Sequence, residues 1–146
     1  MILQMDDWAF DVDIAKTMAY SASEAAEHCT CAYCRNFYAT VDSVCPGLRQ
    51  FLAQYGVDVE APEEMYPIYI GNQFVRYSLA YVVYGRIIKA TQTRKELIPA
   101  HIDYSVKVSN DAEDHFILEL HEIGLPWVLD EPVENVVSPV NETSFL

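Results

Sequence analysis

Tyr66-Pro-Ile-Tyr-Ile70-Gly-Asn-Gln-Phe-Val75-Arg-Tyr-Ser-Leu-Ala80-Tyr-Val-Val-Tyr84 is the stretch whose reading sets the fold. Residues 66–70 are rich in β-branched and aromatic side chains and read as a strand. Gly71-Asn72 is a dipeptide suited to a two-residue hairpin turn. On the return strand, Val75, Tyr77, Leu79, Tyr81 and Val83 alternate onto one face. Ser78, Ala80, Val82 and Tyr84 occupy the other face and are themselves largely apolar. A strand that is apolar on both faces belongs in the middle of its sheet. Gly85 then marks a bulge or bend near its end.

Downstream of this hairpin the pattern stays β-like. Residues 86–95 hold four of the nine basic residues and include a loop at 91–93. Ile102, Tyr104, Val106 and Val108 alternate with His101, Asp103, Ser105 and Lys107, which predicts another strand. After an acidic turn at 110–114, Phe116, Leu118 and Leu120 form a buried face, with His115 and His121 on the outer side. Gly124-Leu-Pro-Trp-Val-Leu129 closes the fold, with Trp127 as an apolar plug. The rest is acidic and interrupted by proline. The expected organisation is one domain over residues 1–130 and an extended acidic tail over 131–146.

Upstream the pattern is mixed. Trp8, Phe10, Val12 and Ile14 predict a strand whose other face carries Asp11 and Asp13. Ser21-Ala-Ser-Glu24 matches a capping box and starts a short helix running to about His28. A second helix begins near Cys31, with Thr30 as its N-cap, and buries Cys34, Phe37, Tyr38, Val41 and Cys45. Pro46 ends it and opens a third, which buries Leu48, Phe51, Leu52 and Tyr55 and stops at Gly56. The expected class is therefore α+β: an N-terminal strand, two to three short helices, then a mainly antiparallel β-meander of about four strands.

Composition narrows the function. A chain of 146 residues, 51 % hydrophobic and 21 % charged, suits a single globule. Its formal net charge of −13 repels phosphate backbones, so nucleic acid is not an expected partner. The same field favours a basic protein or a cation. No apolar run is long enough to span a bilayer, and the first residues lack the basic-then-apolar pattern of a secretory signal. A cytoplasmic location is expected, where cysteines stay reduced. The exposed edges of a meander leave self-association open.

The chemistry concentrates at His28-Cys-Thr-Cys-Ala-Tyr-Cys34, which sets three of the four cysteines in six positions. Cys29, Cys31 and Cys34, with His28 beside them, have the residue types of a zinc-like site, in which soft thiolates surround the ion about 2.3 Å away. Three thiols are one short of a structural zinc set. Cys45 is a poor fourth, since eleven helical residues put it roughly 16 Å from Cys34. His101, His115 and His121 are alternatives from the sheet. Two other readings use the same atoms. Cysteine packs readily as a small buried hydrophobe, which suits Cys34 and Cys45 on the helix face. A C-x-x-C pair at a helix start also suits thiol redox chemistry through Cys31 and Cys34. There is no glycine-rich phosphate loop, G-x-S-x-G elbow or H-E-x-x-H, so no catalytic residues are assigned.

Three segments taken together, Cys29-x-Cys31-x-Tyr33-Cys34-x-Asn36-Phe37, Phe51-Leu-Ala-Gln-Tyr-Gly56-Val-Asp and Leu125-Pro-Trp-Val-Leu129, resemble a group of small, acidic, uncharacterised bacterial proteins. The resemblance implies a bacterial cytosolic protein and carries no catalytic residues. The leading expectation is a small non-enzymatic protein with a metal-binding or structural cysteine cluster. The alternatives are an acidic inhibitor or immunity-type factor that masks a basic partner, and a thiol oxidoreductase.

Overall fold

A computed structural model describes residues 1–5, 8–71, 73–89, 96–97, 106–109 and 114–131. The chain opens with two short antiparallel strands, β1 (Ile2–Met5) and β2 (Trp8–Val12), paired from Ile2 opposite Asp11 to Met5 opposite Trp8. The strand expected at Trp8 stops two residues early. Ile14 instead begins α1 (Ile14–Ala26). The reason is local: the Asp13 carboxylate accepts the Lys16 N–H at 3.0 Å, a side-chain N-cap. Asp13 is thus a helix cap and not a member of an acidic strand face with Asp11.

The helix expected from Ser21 therefore starts seven residues sooner, and Ser21 lies inside it. Tertiary structure explains what the serine does there: its Oγ accepts the Asp58 N–H at 2.8 Å. Thr17 acts similarly one turn earlier. It is fully buried, and its Oγ1 donates to the Asp13 carbonyl at 2.8 Å and accepts the Tyr84 N–H at 3.0 Å. Two hydroxyls on α1 thereby satisfy partly buried backbone donors from elsewhere in the chain.

Two further helices follow, α2 (Ala32–Val44) and α3 (Leu48–Ala53). The residue at the N-cap of α2 is Cys31, one later than the expected Thr30, and its side chain makes no capping bond. The expected apolar stripe is present: Cys34, Phe37 and Val41 are buried on α2, and Leu48, Phe51 and Leu52 on α3. Gly56 stops this segment at φ +85°, and a Cβ there would sit 2.8 Å from the Ile14 carbonyl oxygen.

The sheet has seven strands among the described residues. β3 (Glu64–Gly71) and β4 (Phe74–Lys89) form the expected hairpin. Gly71 is still in register, opposite Phe74, and Gln73 takes the left-handed conformation at φ +59°. Asn72, the other half of the expected turn, lies outside the described residues. Beyond β4 come β5 (Glu96–Leu97), β6 (Val106–Ser109) and β7 (His115–Pro126). The expected loop at 91–93 and residues 102–105 of the expected strand also lie outside the description, as do residues 132–146 of the expected tail.

The arrangement is α+β with an antiparallel sheet, but the strands do not follow one another as a simple meander. Their order is β1-β2-β4-β7-β6-β5, with β3 also paired to β4. Strand β7 thus inserts between β4 and β6. It runs along one edge of β4 from Pro126 opposite Phe74 to His115 opposite Tyr84. The other edge of β4 is shared: β3 takes its first half and β2 its second. The handover between them falls near Gly85, at φ +140°, where a Cβ would lie 2.1 Å from the Asp11 carbonyl oxygen. Only glycine lets the two backbones approach this closely.

Having neighbours on both edges, β4 is central, as its two apolar faces require. Val75, Tyr77, Leu79, Tyr81 and Val83 are at most 1 % exposed. They share one core with Phe116, Leu118, Leu120, Ile123 and Leu125 of β7 and with Phe37, Val41, Leu48 and Leu52 of the helices. Trp127 closes one end, buried edge-on against Tyr33 with ring centroids 5.5 Å apart. This core holds the start of α2 in place, and the cysteines stand there.

Candidate functional site

Helix α1 ends at Ala26, and His28, Cys29 and Thr30 cross without regular structure to Cys31, whose extended backbone (φ −66°, ψ 167°) leads into α2. The crossing is pinned from several sides. The Tyr38 hydroxyl donates to the Cys29 carbonyl at 3.0 Å. Arg35 Nε donates to the Thr30 carbonyl at 2.8 Å, while its terminal nitrogens bond both Glu131 oxygens, at 2.5 and 2.9 Å. The Cys31 N–H points back at Cys29 Sγ, 3.4 Å away.

A second set of contacts fixes the helix itself. Asn36 is fully buried: its Nδ2 donates to the Pro126 carbonyl at 3.0 Å and to the Tyr77 hydroxyl at 3.3 Å, and its Oδ1 accepts the Val128 N–H at 2.8 Å. Tyr77 in turn donates to the Tyr33 carbonyl at 2.8 Å. The first turn of α2 is thus tied to the centre of the sheet and to the end of β7. A side chain anchored in this way holds its neighbours to a narrow range of positions.

The outcome is a thiol trio. The sulfurs of Cys29, Cys31 and Cys34 all lie within 4.8 Å of one another, and none is in a disulfide. Cys29 and Cys31 are exposed, whereas Cys34 lies beneath them at 5 % exposure. Around a tetrahedral zinc, sulfurs 2.3 Å from the ion stand roughly 3.8 Å apart, so closing the trio on an ion needs at most about an ångström of movement.

The electrostatics differ from one sulfur to the next. Cys29 is held below the usual thiol range, chiefly by the Cys31 backbone N–H and then by the thiol groups of Cys31 and Cys34. Burial pushes the Cys34 thiol up, and the neighbouring sulfurs push it further. Tyr38 is also raised, by burial first and then by the Cys34 and Cys29 sulfurs. The positive end of the α2 dipole lies at this corner and favours negative charge on the sulfurs. The trio opens onto a cleft of about 780 Å³ whose rim includes Glu24, Glu27, Glu63 and Glu64. Negative sulfur among carboxylates is costly unless a cation joins it.

His28 is in the same cleft but is not one of the clustered donors. Its ring stacks on Tyr38, with centroids 4.5 Å apart and planes 13° apart. Its Nδ1 is buried with no hydrogen-bond partner among the described residues. The more distant candidates do not join the trio. Cys45 caps the far end of α2, His115 pairs with Asp114 at 2.9 Å, and His121 Nε2 lies 3.3 Å from Glu119. His101 lies outside the described residues. A second cleft, of about 570 Å³, is lined by Asp11, Asp13, Arg86 and Asp114 beside the N-terminus, and its Asp11 is already paired with the terminal ammonium at 3.3 Å.

Sequence reading found the sulfurs but not what arranges them. Tyr38 follows Cys34 by four residues and so shares its helix face, a signal present in the spacing. Arg35, Asn36 and the four glutamates carry no comparable signal, because their partners are remote in sequence. No described helix is long and apolar enough to cross a membrane. Compared with known proteins, the chain matches no family model, no curated protein and no solved structure.

Proposed function

We propose that this is a small, non-enzymatic protein that binds a thiophilic divalent ion, zinc in the first instance, through Cys29, Cys31 and Cys34. The observation that carries this reading is the mutual approach of the three sulfurs to within 4.8 Å. Three thiolates and a dication leave one net negative charge, far less than three bare thiolates impose beside a carboxylate rim. In this reading His28, which lies in the same cleft with an unpartnered Nδ1, supplies the fourth donor by moving its ring toward the trio. A reducing compartment such as the bacterial cytoplasm suits the site, because thiolate ligands must stay unoxidised.

The test is metal analysis of protein purified without chelator, together with chelator competition on the Cys29→Ser, Cys31→Ser, Cys34→Ser and His28→Ala variants. One equivalent of zinc, lost in the cysteine variants, supports the proposal. A metal-free protein with all four thiols freely titrating overturns it.

The four glutamates on the cleft, added to the net charge of −13, favour a second reading, an acidic surface that masks a basic protein. It predicts a complex that weakens steeply as salt rises. A pull-down from the source cell that yields no such complex counts against it.

A further inference from the structure

We infer that Cys29 and Cys31 are an oxidation site for small neutral hydroperoxides, closing to a disulfide that removes two of the three thiolate ligands from the proposed metal centre. The ion-release half rests on the metal-binding reading, whereas the oxidation itself does not.

Three geometric observations support it. The trio is unbridged, with sulfurs already within 4.8 Å, so a second thiol stands ready wherever the first is oxidised. All three thiols line the cleft, but Cys29 and Cys31 are exposed whereas Cys34 is only 5 % exposed, so an oxidant meets the first two more readily. The Cys31 N–H lies 3.4 Å from Cys29 Sγ, a hydrogen bond that holds this exposed sulfur beside Cys31. Cys29, held below the usual thiol range, is therefore the sulfur that attacks first, and Cys31, exposed and nearest in the chain, resolves.

The step balances. The Cys29 sulfur attacks one peroxide oxygen, the O–O bond breaks, and the other oxygen leaves as an alcohol, or as water from hydrogen peroxide, with the Cys29 proton. The product is a sulfenic acid. The Cys31 sulfur attacks that sulfur, the S–S bond forms as the S–O bond breaks, and the hydroxyl leaves as water with the Cys31 proton. Two thiols are oxidised by two electrons and one hydroperoxide is reduced by two. From the metal-bound form, solvent supplies the two protons. The ion then keeps one protein thiolate of three and dissociates.

The rim selects the oxidant. Glu24, Glu27, Glu63 and Glu64 line the same cleft, so anionic oxidants such as glutathione disulfide are repelled, whereas uncharged hydrogen peroxide enters freely.

The test treats the reduced, metal-free full chain with hydrogen peroxide, with and without a sulfenic-acid trap, and maps the cysteines by mass spectrometry. Cys45, outside the trio, is the internal reference. The expected result is a Cys29–Cys31 disulfide formed at least about tenfold faster than Cys45 is oxidised. Cys31→Ser should accumulate trapped sulfenic acid at Cys29, and Cys29→Ser should reduce the trio to the rate of Cys45. Trio oxidation no faster than Cys45, or a main product that includes Cys34, overturns the inference. Glutathione disulfide should react about tenfold more slowly at low salt than at high salt. Equal rates at the two salt concentrations overturn the selectivity. In a parallel zinc-loaded sample, zinc release should track the disulfide. A chain that takes up no zinc removes the metal reading, and the metal-free experiment still decides the oxidation.

Discussion

The hydroxyl of Tyr38 donates to the main-chain carbonyl of Cys29, 3.0 Å away and nine residues earlier in the chain. One helical side chain thereby sets where the first sulfur of the trio stands. The same ring stacks on His28, so Tyr38 orders both residues that precede Thr30.

Replacing this tyrosine separates site geometry from fold. Tyr38→Phe keeps the ring and removes one hydrogen bond, so stability should fall by about 1 kcal/mol or less. Metal affinity should fall by about 10-fold to 100-fold, as it does when a residue that orients a metal ligand is lost. Denaturant titration and chelator competition on the same sample check the two effects independently.

Asn36 should behave in the opposite way. It is fully buried and bonds Pro126, Tyr77 and Val128, so Asn36→Ala leaves buried donors and acceptors without partners. A loss of about 2–4 kcal/mol in chemical denaturation is expected. An unchanged denaturation midpoint would show that these contacts do not hold α2 to the sheet.

Gly85 tests the junction on β4. With φ at +140° and a Cβ 2.1 Å from the Asp11 carbonyl oxygen, Gly85→Ala must displace either β2 or β4. The expected cost is roughly 2–4 kcal/mol. Ala80→Gly, elsewhere on the same strand, is the comparison that tests position against residue type, and its cost should be no more than about 1 kcal/mol.

The thiols should separate by pH. Cys29 is held below the ordinary thiol range, so its thiolate persists as pH falls beneath that range, while the raised Cys34 stays protonated. Alkylation by a neutral reagent, resolved by peptide, should therefore label Cys29 at lower pH than Cys34. The sign for folding follows: a depressed thiol contributes stability above its unfolded pKa, and that contribution is lost as pH falls through the folded one. Metal binding should also weaken toward acid, because protons compete for the sulfurs.

How far each element was legible depends on the range of the forces that form it. The hairpin at β3 and β4, the apolar stripe of α2 and α3, and the stop at Gly56 rest on alternation, helical spacing and backbone preference, all contained in short windows. The start of α1 is ambiguous in the sequence because two local signals compete. Asp13 caps the helix, and the Ser21-Ala-Ser-Glu24 pattern was a false start whose serine serves the Asp58 N–H instead. The placement of β7 between β4 and β6 has no local signature, since pairing partners are chosen by the sheet as a whole.

The site divides in the same way. Sequence alone determined that Cys29, Cys31 and Cys34 are close along the chain, that a helix begins among them, and that the protein is strongly acidic. Only the tertiary structure decided that the three sulfurs converge, that Cys34 is buried beneath two exposed thiols, and that carboxylates from α1 and from the start of β3 rim the cleft above them. The physical reason is that convergence depends on anchors far apart in sequence. Asn36 reaches Pro126 and Val128, Tyr77 reaches Tyr33, and Arg35 reaches Glu131. Those bonds form only once the core between them has packed.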